Sequence, residues 1–215
     1  MKFTDAQHKY FIERMLKRYG VAGIPEQLTT QEIVEQLLSK VNRLGIDKLK
    51  KFLSDNDFYT APASTRFHGN YAGGLAEHSI NVCALLGEEN EKHNLCLSDE
   101  SVILCGLMHD LCKVNFYKLS KRNKKNPDTK QWYEVDFWEV EDQLPMGHGE
   151  KSLYMLQGFL KVSREEAFMI RWHMGPFSSA NEFDFNNAVA YQKSIAAMYV
   201  ADFMASSLYE ETIET

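Results

Sequence analysis

The side chains best suited to chemistry in this chain are four histidines and two aspartates that follow one another in a simple order. Imidazole nitrogens and carboxylate oxygens bind Mn, Fe, Zn, Ni or Mg rather than ions that prefer thiolates. Six such groups exceed the ligands of one closed tetrahedral site, and they suffice for two divalent ions that share a bridging carboxylate. We therefore expect a centre of two metals. The candidate ligands are His78, His109, Asp110, His148, His173 and Asp202.

Three of these candidates lie in patterns typical of buried helix faces or helix ends. His78 falls on the same side of a predicted helix as Leu75 and Val82. Asp202 lies within a helix among apolar residues, where an ionised carboxylate without a partner is costly, so it needs a cation. Asp110 follows the end of a helix, where its charge opposes the helix dipole unless a cation is nearby. These surroundings favour metal binding over a purely structural role.

Whether the site binds one metal ion or two depends on whether His148 and His173 are ligands. A glycine flanks His148 on each side, and Gly175 follows shortly after His173, which suits close approach to an ion. The alternative is that both histidines line the cleft and contact substrate without binding metal. We predict that both are ligands, and hence that a second ion binds.

Five stretches of sequence surround these residues: Gly73–Ser79, Gly106–Lys113, Gly147–Glu150, Trp172–Gly175 and Ala201-Asp202. Together they resemble the HD-domain superfamily of metal-dependent phosphohydrolases. The Gly-Gly-Leu-x-Glu-His form of the first stretch is most similar to the HD domain of bacterial 3′-to-5′ exoribonucleases. The resemblance runs from about His68 to Asp202, which is most of the chain.

The resemblance implies roles for several residues. Asp110 would bridge both ions and position the attacking hydroxide. Lys113 matches the lysine that often follows the His-Asp pair, and it would act in catalysis or bind a substrate phosphate; the alternative is a surface lysine at a helix end. Arg66 and His68 lie in the loop that would edge the cleft, and both would contact phosphate. The tryptophans could stack a base, but packing is the simpler role.

Capping signals and apolar stripes predict an all-α fold, an HD-type helical bundle with one inserted β-hairpin. Alternating aromatic residues between Trp132 and Trp138 indicate a strand, so the hairpin should lie between Lys113 and Gly147. We divide the chain into a helical N-terminal appendage packed on the domain (1–57), the HD domain (58–209) and an acidic tail (210–215) that frays.

Three details of the helices follow from the same patterns. Helix starts are predicted near Thr4, Thr29, Ser98 or Asp99, and Ser163. A second helix should carry Ile33, Leu37, Val41 and Leu44 on one stripe. One long last helix should hold Tyr191, Ile195, Met198, Asp202 and Ala205 on one face.

The charge and composition of the chain limit the partners that we expect it to bind. The net charge of −6 argues against a surface that coats nucleic acid. A basic turn from Lys121 to Asp128 could guide a polyanion, but such runs are more often solvated. We expect no membrane span and no signal peptide, and hence a cytoplasmic protein with four free cysteine thiols. Oligomeric state is left open.

Three functions remain. The first is a metal-dependent hydrolase of a phosphoester, a nucleotide or related small phosphate compound, acting through a metal-activated hydroxide. The second is a 3′-to-5′ exoribonuclease, although the first 60 residues show no strand-rich oligonucleotide-binding barrel. The third is a non-catalytic module that binds a nucleotide or metal. We favour the first, with a small phosphorylated substrate rather than RNA.

Overall fold

The computed structural model describes residues 6–23, 25–177 and 182–213. Within these ranges the chain is mainly helical and contains one two-stranded antiparallel sheet, which confirms the predicted all-α fold with an inserted hairpin. The elements are α1 (Ala6–Arg18), α2 (Thr30–Leu38), α3 (Ile46–Asp55), α4 (Gly74–His93), α5 (Asp99–Met108), β1 (Tyr117–Lys125), β2 (Trp132–Val140), α6 (His148–Gln157), α7 (Arg164–Trp172), α8 (Glu182–Tyr191) and α9 (Ser194–Met204).

Helix α4 is the centre of the bundle. It packs against α1, α2, α5 and α9, and this is why nearly all its residues from 74 to 87 are buried. The approach of α5 is especially close: a Cβ added to Gly106 would lie 2.4 Å from the Cα of Cys83. Glycine at position 106 therefore sets the spacing between the helices that carry His78 and His109.

Side-chain caps set where several helices begin. Thr29 and Glu32 form a capping box at α2, Ser98 accepts a hydrogen bond from the Ser101 amide at α5, and Ser163 caps α7 with its own capping box. These predicted helix starts are confirmed. The cap predicted at Thr4 lies outside the described residues.

The apolar stripe predicted for the second helix is wrong at its C-terminal end. Helix α2 ends at Leu38, and the amides of Lys40 and Val41 bond to carbonyls three residues back, which turns the chain out of the helix. Leu44 is consequently 97% exposed rather than buried. The turn instead directs the neighbouring Arg43 toward α5 and α7.

The prediction of one long last helix is also wrong, because the chain forms α8 and α9 with a break at Gln192-Lys193. The side chains of Gln192 and Ser194 both bond to Glu165 on α7, and these contacts hold the break in place. Tyr191 therefore ends α8 and is exposed, while Asp202 stays within α9.

The hairpin pairs Tyr117 with Val140 at its base and Lys125 with Trp132 at its far end. The basic residues predicted to form a turn belong mostly to β1, and the turn spans 126–131. Cross-strand pairing explains the difference, because Lys121 forms an ion pair with Glu134 at 2.6 Å.

The C-terminal segment, which was predicted to fray, is hydrogen-bonded to the rest of the chain up to Ile213. Asn70 exchanges two hydrogen bonds of 2.7 Å with the backbone of Ile213, and the Gly69 amide donates to the Glu211 carbonyl. Residues 214–215 lie outside the described part of the chain. No helix among the described residues is long and apolar enough to cross a membrane, and all four cysteines are free thiols.

A buried ion-pair cluster ties the first 57 residues to the remainder of the chain. The guanidinium of Arg43 donates to both carboxylate oxygens of Glu166 at 2.8 and 2.6 Å and to Glu100 at 3.0 Å. Ser101 donates to the same Glu166 carboxylate. Burial alone would raise the pKa of Glu166, but its bonds to Arg43, the Ser163 amide and Ser101 lower the pKa to about 2.

We predict that Arg43→Ala lowers the free energy of unfolding at pH 7 by about 3 kcal/mol, because it leaves the buried Glu166 carboxylate without its cation. Arg14→Ala is the matched control: Arg14 pairs with exposed carboxylates on α4, so its loss should cost under about 1 kcal/mol. Urea unfolding monitored by circular dichroism measures both.

The lowered pKa of Glu166 makes the stabilisation by the Arg43–Glu166 pair depend on pH. It is present above the ordinary glutamate value of 4.5 and is lost as the pH falls toward 2. The difference between wild type and Arg43→Ala should shrink over that window. Equal costs for the two arginine variants at pH 7 would contradict the assignment.

Candidate metal centre

The structure brings all six candidate ligands together, although they come from three helices and from the C-terminal ends of two others. His78 lies in the second turn of α4, His109 caps the C-terminus of α5 and Asp110 follows it. His148 is the first residue of α6, His173 caps the C-terminus of α7, and Asp202 projects from α9.

The carboxylate of Asp110 lies between two pairs of histidines. Its Oδ1 atom is 2.7 Å from His148 Nε2 and 3.5 Å from His173 Nε2. Its Oδ2 atom is 3.5 Å from His78 Nε2 and 3.4 Å from His109 Nε2. Each oxygen thus faces its own pair of imidazole nitrogens, which is the geometry expected of a bridging carboxylate.

Several triplets of potential ligand atoms lie within 4.8 Å of one another. One consists of His78, His109 and Asp110, and a second of Asp110, His148 and His173. Asp202 forms a further triplet with His109 and His173, and its Oδ1 atom lies 3.2 Å from His78 Nε2. The Nε2 atom of His173 is buried and forms no hydrogen bond to any described residue, as suits an atom reserved for an ion. The cluster is compatible with divalent metal binding.

Hydrogen bonds from the other ring nitrogen to a backbone carbonyl orient two of the histidines. His109 Nδ1 donates to the Gly106 carbonyl at 2.8 Å, and His173 Nδ1 donates to the Ile170 carbonyl at 2.7 Å. Because a carbonyl only accepts, the proton lies on Nδ1 and each Nε2 is left to bind a metal. The same arrangement, a carbonyl three residues earlier in the helix, serves both rings.

His78 has a carboxylate partner that the sequence gave no reason to suspect. Glu210 accepts from His78 Nδ1 at 2.9 Å, and Asn81 donates to the same carboxylate at 3.0 Å. Asn81 in turn bonds at 2.8 Å to His8 on α1. Glu210 is buried, whereas its neighbour Glu211 is exposed. Their types and spacing do not distinguish them; only the path of the segment after α9 does.

Neighbouring charges set the protonation states of Asp110 and His78. Burial would raise the pKa of Asp110, but Lys113, His109 and His148 outweigh burial and hold the pKa well below its usual range. Burial would lower the pKa of His78, but Glu210 and Asp202 outweigh it and raise the pKa to about 10. The ring is therefore protonated at neutral pH, and a metal ion that binds its Nε2 atom must displace that proton. Asp110 is therefore ionised at neutral pH, the form in which a carboxylate binds metal.

The three predicted substrate contacts fare differently. Lys113 is buried, with its Nζ atom 2.6 Å from Asp110 Oδ2, so it is not a surface lysine. The ring of His68 lies 4.9 Å from that of His78, and burial lowers the pKa of His68 to about 4, so the ring is neutral. Arg66 is exposed and is not among the described residues that line the cavity over the site.

That cavity has a volume of about 310 Å³ and is lined by Asp110, Asp202, His148, Lys113 and His68, among others. A larger surface cavity of about 740 Å³ lies between α3 and the start of α7, but it contains none of the candidate ligands. Because candidate ligands line the smaller cavity, the smaller cavity is the candidate functional one.

Two glycines near the ligands serve packing rather than approach to an ion. A Cβ on Gly149 would lie 2.3 Å from the Arg171 carbonyl, so glycine lets α6 pack closely on α7. Gly175 has a positive φ of 59°, and a Cβ there would lie 2.6 Å from the ring of Tyr199. Both contacts hold His148 and His173 in place indirectly.

A family model for the HD domain matches residues 75–203. This is more than half of the chain, and the chain belongs to the HD-domain family. Members of this family are generally metal-dependent phosphohydrolases that bind divalent metals. Neither a comparison with curated proteins nor one with solved structures finds a significant match. The narrower likeness to exoribonucleases stays a prediction.

We predict that Glu210→Ala lowers the affinity for the metal bound by His78 by roughly 10–100-fold, because the ring loses the partner that orients it. Glu211→Ala removes the same group from the adjacent exposed position, and it should leave the affinity unchanged. Calorimetric titration of chelator-treated protein with Mn²⁺ measures both. Equal affinities in the two variants would show that the contact does not support the metal.

Proposed function

We propose that the protein is a metal-dependent hydrolase that cleaves a phosphoester of a small phosphate compound, a nucleotide or a close relative. The observation that carries the proposal is the carboxylate of Asp110, which lies between two histidine pairs at the floor of a cavity. Two ions about 3.5–4 Å apart, bridged by a carboxylate, are a recurrent solution for hydrolysing phosphate esters.

The residues present fit two divalent ions. His78, His109 and Asp202 would hold one, His148 and His173 the other, and Asp110 would bridge them. When bound, the ions supply a water of lowered pKa and Lewis-acid stabilisation of the phosphoryl charge. His and Asp donors accept Mn, Fe, Ni, Mg or Zn, so availability as well as geometry selects the metal.

The protein's own groups then bind and orient the phosphate. The ammonium of Lys113 lies beside Asp110 and lines the cavity, so it can donate to a phosphate oxygen while it balances the aspartate charge. The neutral ring of His68 has a buried Nε2 atom without a hydrogen bond to any described residue. This nitrogen is available to a hydroxyl or phosphate oxygen of the substrate.

The exoribonuclease alternative has less support. The net charge is −6, and the basic run of β1 extends along the hairpin away from its base, where Tyr117 and Val140 line the cavity. At about 3.3 Å per residue, Lys125 lies roughly 25 Å along the strand from that base. A substrate small enough for the cavity would not reach it.

The decisive prediction concerns Asp110. Wild-type protein reconstituted with Mn²⁺ should hydrolyse at least one member of a panel of nucleotides, cyclic nucleotides and short RNAs, and Asp110→Ala should abolish that activity, because neither ion keeps its shared ligand. His148→Ala or His173→Ala should lose less, because one ion remains. Elemental analysis gives the metal content of each variant.

Three outcomes of this experiment separate the alternatives. Release of mononucleotides from RNA as the best reaction would favour the exoribonuclease. Metal and nucleotide binding without any turnover would favour a non-catalytic module. Full activity in a folded Asp110→Ala variant would overturn the assignment altogether.

A second prediction compares two lysines. Lys113→Ala should weaken kcat/KM by the equivalent of roughly 1.5–3 kcal/mol, the usual contribution of a charged hydrogen bond. Lys124→Ala, near the far end of the hairpin, should change kcat/KM for a small substrate by less than twofold. A large loss in Lys124→Ala that fades as salt is added would instead indicate a long polyanion.

A further inference from the structure

The wall of the cavity is apolar and aromatic above its polar floor. Phe67 from the loop before α4 is 71% exposed, and Phe203 from α9 is 57% exposed, yet both line the cavity over the metal centre. Neighbouring exposed apolar side chains that border one cavity can mark a ligand-binding site. The apolar and aromatic residues of the lining include Phe67, Tyr117, Val140, Met174, Tyr199 and Phe203.

Both phenylalanines are held by their neighbours. The Phe67 amide donates to Ser64 Oγ at 2.8 Å, and that hydroxyl donates to the His68 carbonyl at 2.9 Å, so a compact turn presents the ring. Phe203 directly follows the candidate ligand Asp202 on α9, and its ring lies 6.2 Å from that of Tyr199. The two rings therefore come from separate elements and border one space next to the reacting centre.

Cationic groups are scarce in the same lining. Among the described residues that line the cavity, Lys113 alone has a cationic side chain, and its ammonium is already bonded to Asp110. Sites that bind di- or triphosphates usually carry several cationic or backbone donors for the extra phosphates. Phosphates beyond the reacting one would find the hydroxyls of Ser64, Thr65 and Ser206 among phenylalanine, valine and methionine side chains, and no further cation among the described residues of this lining to balance their charge.

We infer that the substrate is a compact ester with a single phosphate and a planar aromatic group, such as a nucleoside monophosphate, and that Phe67 and Phe203 bind the planar group. This inference rests on the proposed phosphohydrolase function and narrows its substrate class. The phosphate would lie over Asp110 and Lys113, and the aromatic group would contact the rim. The cavity of about 310 Å³ is at the small end of the range for ligand pockets, which suits such a molecule.

Adenosine 5′-monophosphate and ribose 5-phosphate form a matched pair of probes, because they differ by the base alone. Adenosine 5′-triphosphate adds phosphates to the same base. We expect the Mn²⁺-loaded protein to bind the nucleoside monophosphate at least tenfold more tightly than either of the others in calorimetry. We expect the same order in kcat/KM, since every base has a flat face that can stack on aromatic side chains.

Variants locate the contact. Phe67→Ala and Phe203→Ala should each reduce affinity for adenosine 5′-monophosphate about tenfold and change that for ribose 5-phosphate less than twofold. Phe183→Ala is the control, because Phe183 is 72% exposed on α8 but is not among the residues that line the cavity. It should alter neither. All three positions are exposed, so thermal unfolding should be little changed.

The outcomes separate this inference from the proposed function. Tight, phenylalanine-dependent binding of the monophosphate without turnover would uphold the substrate class and overturn the hydrolase. If kcat/KM is equal for ribose 5-phosphate and adenosine 5′-monophosphate, or is highest for the triphosphate, the substrate class is wrong and the hydrolase function is retained. The same preference in Phe67→Ala and Phe203→Ala as in wild type would remove these residues from the site.

Discussion

The buried, ionised carboxylate of Asp110 is the constraint on which the site depends. A carboxylate withdrawn from water is strongly destabilising unless cations and hydrogen-bond donors surround it. Lys113 meets one oxygen directly, and four imidazole rings from separate segments face the two oxygens. The helices that carry these groups must therefore hold their relative positions, and much of the bundle's packing serves that requirement. A centre of divalent ions satisfies the same need for positive charge and adds reactivity.

Three of the ligands lie at helix termini, which gives the site both rigidity and access. His109 and His173 end α5 and α7, and each ring is anchored to a carbonyl one turn earlier. His148 begins α6. Residues at helix ends can point past the helix toward a shared point, whereas residues in helix interiors are confined to one lateral face. Close helix contacts at Gly106 and Gly149 then fix the distances between the ends.

The two ends of the described chain meet behind the metal centre. Glu210, from the segment after α9, orients His78, and Asn81 links that carboxylate to His8 on α1. The front of the centre is different, because Phe67 and Phe203 surround the entrance with apolar surface. The site thus combines a charged, hydrogen-bonded interior, where we propose that metal binds, with an apolar rim, where we propose that the organic part of a substrate binds.

The sequence by itself determined the candidate ligands and most of the helices. Residue type and order identified His78, His109, Asp110, His148, His173 and Asp202, because few side chains bind hard cations and their helical context is local. Capping residues such as Ser163 also act within one turn, so their positions were readable. Only the tertiary structure decided the end of α2, the break before α9 and the role of Glu210. These features depend on contacts between residues far apart in sequence, such as Arg43 with Glu166 and Gln192 with Glu165, and no local pattern encodes such contacts.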